Sequence, residues 1–235
     1  MEAARTERPR REAGAQTRRK LLAVGRRAFA RRGHAGVNLR DDILVPAGVS
    51  VGSFYHQFRD KTDLFLAILR EHSEMFLAKV HQAHAPSVDE AETPGEMAHA
   101  SFATCFRVAE ENEDVFHILL RERENDDPRV RRYLQENRRH WIASLAADYR
   151  RMLGSADEQV TELAAELISS LTFGTLLSYL ELSPRERRAR RATLIDGLVR
   201  FTVGGLGGLL ADPPAVKRTR SLETAQRNRR GKGGH

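Results

Sequence analysis

From Thr17 to Ala211 the apolar residues of this chain recur at helical spacing, and no stretch shows a sustained period-two alternation. A chain patterned in this way has no face to offer a sheet, so the fold class expected is all-α. The first helix reads from about Thr17 to Arg32, with Leu21, Leu22, Val24, Ala28 and Phe29 as an apolar stripe among arginines and Gly33 ending it. A short second helix follows Asn38, a suitable N-cap, and carries Leu39, Ile43 and Leu44 as far as Pro46. Ser50 caps a short third helix, VGSFYHQF, and a long fourth from about Lys61 to Ala83 places Leu64, Phe65, Ile68, Leu69, Phe76 and Val80 on one face. Further helices are expected at roughly 97–111, 114–124, 128–153, 157–182 and 185–211.

At 235 residues the chain can bury a sizeable core as one large helical domain or two smaller ones. Its net charge of +7 conceals an asymmetry. Residues 1–40 carry 12 Lys and Arg against 3 Glu, and residues 212–235 carry 7 against 2, so the middle is acidic. Clustered basic charge is an electrostatic footprint for phosphate, and it is also the composition of a solvated tail. Residues 1–16 read as a disordered basic arm and residues 212–235 as a disordered basic tail. The longest weakly polar run, Phe201 to Ala211, is shorter than the ~20 residues of a membrane helix, and the N-terminus has no apolar signal-like stretch. A cytoplasmic protein with no membrane partner is therefore expected. Cys105 is the only cysteine, which excludes an intrachain disulfide and a thiolate zinc cluster.

The stretch PAGVSVGSFYHQFRDKTDL, residues 46–64, concentrates the information. Gly48 can take positive φ, which lets two short helices meet sharply through a tight turn. Phe54 and Phe58, four apart, share the inner face of the third helix. The outer face is then Ser50, Val51, Ser53, Tyr55 and His56, small and nearly uncharged, as a helix entering a major groove about 12 Å wide must be.

The run from Thr17 to about Leu69 resembles the DNA-binding domain of the TetR family of bacterial transcriptional repressors: a Thr17-Arg18 start, Phe29 four residues before Gly33, and AGVSVGSFYHQFRDKTDL matching the family's AGVS-G-(L/F)Y-HF-(S/D)K--L pattern. The resemblance implies a helix-turn-helix domain at 17–62 and a helical ligand-binding and dimerisation domain at 63–211. The segment from Ala85 to Glu96 is the most loop-like interior stretch. One departure stands out: Gly33 to Ile43 is one residue longer than the family's usual spacing, and Pro46 stands where a helix former is common, which reads as an insertion or as an early end to the second helix.

Carried onto matching positions, the resemblance implies phosphate contacts from Tyr55, His56 and Lys61, with Thr17 and Arg18 on the same surface. Asn38 either donates to a phosphate or caps its helix. Ser50, Val51 and Ser53 are the base-edge candidates, with Val51 suited to a thymine methyl. No Arg or Asn on this helix offers a bidentate base contact, so shape readout and the arm from Arg5 to Arg11 carry more of the recognition.

One helix-turn-helix reads few base pairs, so two copies on a palindromic operator in double-stranded DNA are expected. The last two helices are the natural homodimer surface, with Ser170, Gly174, Ser178, Leu194, Leu198, Phe201, Gly204 and Gly208 as interface candidates. Gly204, Gly205, Gly207 and Gly208 would also suit a frayed end, at roughly 1 kcal/mol each in a helix interior. The resemblance further implies a pocket for a small apolar ligand, for which Phe102, Cys105, Phe106, Phe116, Leu120, Trp141, Leu145, Tyr149, Phe173 and Leu176 are candidates; each is also an ordinary core residue.

Two rival readings belong beside this one. Glu96 with His99 and Asp114 with His117 have i, i+3 spacing used in carboxylate-bridged metal bundles, although a complete site needs two further inward glutamates from other helices, which the sequence does not single out. Alternatively, the basic ends bind nucleic acid without sequence preference. No nucleophile elbow, phosphate loop or zinc-protease helix is present, so no enzyme, cofactor or metal is expected.

Overall fold

The computed structural model describes residues 2–84, 93–153 and 157–210, and every element among them is helical. The C-terminal tail and residues 85–92 of the expected loop lie outside the described residues. Helix α1 is Glu2–Gly36. Residues Leu39–Leu44 wind as a π-helix that runs into the α-helical turn Val45–Ala47, together α2. Then come α3 (Val51–Gln57), α4 (Lys61–His84), α5 (Pro94–Glu111), α6 (Glu113–Arg121), a 3₁₀ turn (Glu122–Glu124), α7 (Pro128–Leu153), α8 (Glu158–Leu180) and α9 (Pro184–Leu210).

The expected disordered arm at 1–16 is corrected: α1 begins at Glu2, well before Thr17. The segment is rich in Ala, Arg and Glu, whose intrinsic helix preference needs no apolar burial to express itself. Thr17 is consequently not a helix start. It lies mid-helix and half-buried, its hydroxyl donating to the Ala13 carbonyl at 2.9 Å. Gly33 breaks the helix as expected, with φ 71° and ψ 168°, and a last short turn continues to Gly36.

The extra residue before Ile43 is absorbed by the π-turn. Val45 N–H donates to the Arg40 carbonyl, five residues back, so one more residue fits into the turn without moving Ile43 and Leu44 out of the core. Pro46, which has no N–H, sits in the first turn of the α-helical continuation, where none is required.

Two apolar cores share α4. The first gathers Leu21, Ala28 and Phe29 of α1, Ile43 and Leu44 of α2, Phe54 and Phe58, and Leu64 to Leu69 of α4, with Val115, Ile118 and Val130 closing it from α6 and α7. Phe29 meets Phe65 edge-on at 4.9 Å. The second joins Val80 of α4 to α5, α6, α7, α8 and α9. Helix starts are capped by side chains: Thr93 and Glu96 form a capping box on α5, Asp157 caps α8, and Ser183 with Glu186 caps α9.

Helix α9 is continuous to Leu210 through the four glycines of its last two turns. The apolar run at its end was not the longest in the chain: among the described residues, α8 is the one helix long and apolar enough to cross a membrane by length and composition. Its inner side packs Ala164, Ala165, Leu176 and Leu180 into the second core, while Leu163, Leu167 and Leu171 stay exposed at 46, 52 and 36 %.

Candidate nucleic-acid interface

The chain turns from α2 to α3 through Gly48, whose φ of 61° and ψ of 37° are left-handed. Gly48 N–H donates to the Val45 carbonyl at 3.1 Å and Val49 N–H to the Leu44 carbonyl at 3.1 Å. This paired closure ends a helix sharply and half-buries Val49 against the first core. Ser50 then caps α3, its hydroxyl oxygen accepting from Ser53 N–H at 3.2 Å. With Phe54 and Phe58 buried, Val51, Gly52, Ser53, Tyr55 and His56 are all exposed, Val51 at 55 % and Tyr55 at 57 %. The Tyr55 ring stands edge-on to Phe54 at 5.3 Å.

The remaining sequence-predicted contacts sit around this helix with other bonds of their own. Asn38 caps α2: its Oδ1 accepts from Arg40 N–H at 2.9 Å and Asp41 N–H at 3.1 Å. The Arg18 guanidinium stacks on Phe58, 4.7 Å from the ring centroid, so it is held beside α3. The Lys61 ammonium donates to the Val37 carbonyl at 2.9 Å and reaches that of Ala35 at 3.4 Å, closing the C-terminal end of α1. Gly52 escaped the sequence reading, although a Cβ there would meet nothing within 4 Å; so did Val45, 67 % exposed just before the turn. An apolar residue left in water beside α3 is legible only once its neighbours are known to be buried.

Beneath the interface the N-terminal helices are tied to α6 and α7. Arg26 of α1 grips Asp114 of α6 through two bonds of 2.5 Å. His34 N–H donates to the buried Glu122 carboxylate at 2.6 Å, and Asn125 donates to the other oxygen of that carboxylate. Thr62 donates to Asp127 at 3.1 Å, so its oxygen is left to accept from His34 Nε2 at 2.9 Å. Burial, helped by the Lys61 charge, holds His34 below the ordinary histidine range, so the ring is neutral. Asp60 caps α4 by accepting from Asp63 N–H at 2.8 Å and pairs with Arg129 at 2.9 Å. Burial raises Asp60, but its bonds from Arg129 and Asp63 outweigh that and hold its carboxyl below the usual range.

Of the pocket candidates, Phe102, Cys105, Phe106, Phe116, Leu145, Tyr149 and Leu176 are buried in the second core, with Trp141 and Phe173 half-buried against it. Leu120 is the exception, half-buried on α6 and outside that core. Burial pushes the Cys105 thiol up to about 12, so it is an apolar packing group. A groove of about 540 Å³ lies elsewhere, between α8 and α9, and exposes Ser170, Gly174 and Ser178. Leu194 also lines it, and Phe201, Gly204 and Gly208 are exposed farther along α9. Leu198 is corrected: at 5 % exposure it points into the core. The metal reading loses its residues: Glu96 is spent in the α5 capping box and Asp114 on Arg26, and no group of three metal-ligating side chains assembles among the described residues.

Residues 21–68 match the family model of the bacterial regulatory proteins of the tetR family. The TetR resemblance holds. Beyond the matched segment the described residues share the fold of TetR-family regulators, an N-terminal helix-turn-helix followed by a C-terminal helical domain. SCO4454, a TetR-family transcriptional regulator from Streptomyces coelicolor, aligns over 84 % of this chain and 97 % of its own with a TM-score of 0.63 at 18 % identity. GusR from Salmonella enterica aligns over 83 % and 95 % with a TM-score of 0.60 at 22 % identity. The fatty acid degradation regulator FadR from Bacillus halodurans aligns over 84 % and 96 % with a TM-score of 0.57 at 17 % identity.

Proposed function

We propose that this chain is a sequence-specific DNA-binding regulator of transcription, a homodimeric repressor that lets go of its operator when a small apolar ligand enters the C-terminal helices. The observation that carries the reading is the outer face of α3. A helix capped by Ser50, turned by Gly48 and anchored by two buried phenylalanines exposes Val51 and Tyr55 to more than half. Exposed apolar and aromatic groups on a tight, uncharged helix suit a groove better than water. Val51 and Ser53 are assigned to base edges, and Tyr55, His56, Arg18 and the remaining Lys61 donor to phosphates. Asn38 and Ser50 act mainly by holding α2 and α3 in place.

Homodimerisation is assigned to the exposed side of α8 and α9, where Leu163, Leu167, Leu171 and Phe201 lie in water beside Ser170, Gly174 and Ser178. An apolar surface of this extent on a monomer marks an interaction site. Ligand response is assigned to the α6 and α7 ties: a ligand that shifts α6 or α7 moves Asp114, Glu122 and Asp127, and with them α1 and the start of α4. It acts only as far as its affinity differs between the two arrangements. The role is that of a cytoplasmic regulator and not of an enzyme.

Selection from a randomised duplex pool at near-physiological salt tests this. Enrichment of a roughly palindromic sequence is expected. Retention without enrichment would mean that the arginine-rich ends bind nucleic acid generally and that α3 reads nothing.

A further inference from the structure

Five rings from four helices meet in the second core. His72 and Phe76 come from α4, Phe116 from α6, Trp141 from α7 and Phe173 from α8. Phe76 lies 5.8 Å from Phe116 and 5.0 Å from Trp141, and Phe116 stacks on Phe173 at 6.0 Å. Four of the rings are hydrocarbon or have their polar atom engaged, since Trp141 Nε1 donates to Ser73 Oγ at 3.3 Å. The exception is His72, 8 % exposed, edge-on to Phe116 at 5.8 Å, whose buried Nδ1 has no hydrogen-bond partner. Leaving such an atom unpaired costs its desolvation without return, so its partner is to be sought.

Nearby groups do not supply one. Arg26 and Asp114 are bonded to each other, Ser73 Oγ donates to Asn137 at 2.6 Å, and Lys79 pairs with Glu111 at 2.9 Å. A bridging water needs two or more polar partners, and the rings of Phe76 and Phe116 provide none. Phe76, Trp141 and Phe173 are only half-buried, which leaves the cluster an open side.

From this arrangement we infer that the five-ring cluster is the effector subsite, that it takes a planar aromatic alcohol, and that His72 Nδ1 hydrogen-bonds the ligand's hydroxyl. The inference rests on the ligand-responsive reading above and names the ligand class. A hydroxyl fits because it both donates and accepts and so satisfies either tautomer of a neutral imidazole. Burial first, then the charges of Arg26 and Lys79, hold His72 down to about 4, so it is neutral at physiological pH. The four surrounding rings favour a flat apolar body.

Trp141 is the chain's single tryptophan, so its emission reports on this cluster alone. The test titrates the full chain with 4-fluorophenol and with 4-fluorotoluene, near-isosteric probes differing in the hydroxyl, following Trp141 emission and the ¹⁹F signal of the probe. Saturable binding of 4-fluorophenol is expected, about fivefold to tenfold tighter than 4-fluorotoluene, with that preference lost in His72→Phe. The two-probe comparison on the unaltered chain stands even if the variant does not fold. Equal binding of both probes overturns the role of His72, and binding of neither overturns the subsite. Failure to hold any duplex selectively contradicts the regulator reading instead, and is read in a separate experiment without either probe.

Discussion

The guanidinium of Arg26 on α1 and the carboxylate of Asp114 on α6, far apart in sequence, form a two-bond ion pair that joins the N-terminal helices to the C-terminal bundle. Both side chains keep about a third of their exposure, so solvent screens the pair and its net worth is small. Its geometry matters more than its energy, because a bidentate grip fixes how α6 sits on α1. A double-mutant cycle of Arg26→Ala and Asp114→Ala in urea should give a coupling of about 1 kcal/mol. Strict additivity would mean that the two helices are held without it.

Gly33 and Gly48 both have positive φ, but only one of them is crowded. At Gly33 (φ 71°, ψ 168°) the backbone region is nearly closed to other residues, and a Cβ would stand 3.0 Å from Arg121 Cδ and Glu122 Oε1. At Gly48 a Cβ would meet nothing within 4 Å. Gly33→Ala should therefore cost about 2–3 kcal/mol and Gly48→Ala about 1 kcal/mol. Thermal unfolding of the two variants checks the order, and equal losses would contradict it.

Acid should weaken the fold before the carboxylates titrate. His72 binds its proton at about 4 in the folded chain but near its ordinary 6.5 when unfolded, and burial lowers His34 in the same direction. The unfolded chain takes up protons first, so stability is full above pH 6.5 and falls as pH drops towards 4, by about 3 kcal/mol in total for His72. Urea midpoints between pH 7 and pH 5 should fall, and His72→Phe should remove most of that slope. An unchanged slope in the variant would place the titration elsewhere.

Gly52 lies inside α3 with open space around it. Gly52→Ala should stabilise the free protein by about 0.5–1 kcal/mol through helix propensity alone. The new methyl would stand on the exposed face, so duplex affinity should fall while the melting temperature rises. A gain in stability with affinity unchanged would mean that this part of α3 does not approach DNA.

Leu167, half-exposed at the middle of the α8 stripe, is the residue on which to test the homodimer. Leu167→Glu should yield monomers in sedimentation experiments and should weaken duplex binding along with dimerisation. A wild-type chain that is already monomeric on its duplex would rule out this use of α8 and α9.

The sequence made the turn legible because its chemistry is local: Ser50 as cap, Gly48 as left-handed hinge, and Phe54 and Phe58 four apart report on a structure they themselves determine. The π-turn was visible only as one residue too many, since its cause is the pull of Ile43 and Leu44 into a core assembled from five other helices. The bonds of Lys61 to the end of α1 were not legible, because nothing local reveals that the Val37 carbonyl lies within reach of its ammonium. Leu198 read as interface for the complementary reason: on a helix with apolar residues on several sides, periodicity does not say which of them faces the bundle. Nothing in the sequence separates His72 from the chain's eight other histidines, and only the surrounding rings distinguish it.

The measurement that bears most directly on the account is hydroxyl-radical footprinting of the protein on a duplex recovered from the random pool. Two protected patches on one face of the duplex, related by a dyad and centred about one helical turn apart, are predicted, and both should fade together when Tyr55 is replaced by Ala. A single patch, or uniform protection along the duplex, would contradict a dimer that reads DNA through two copies of α3.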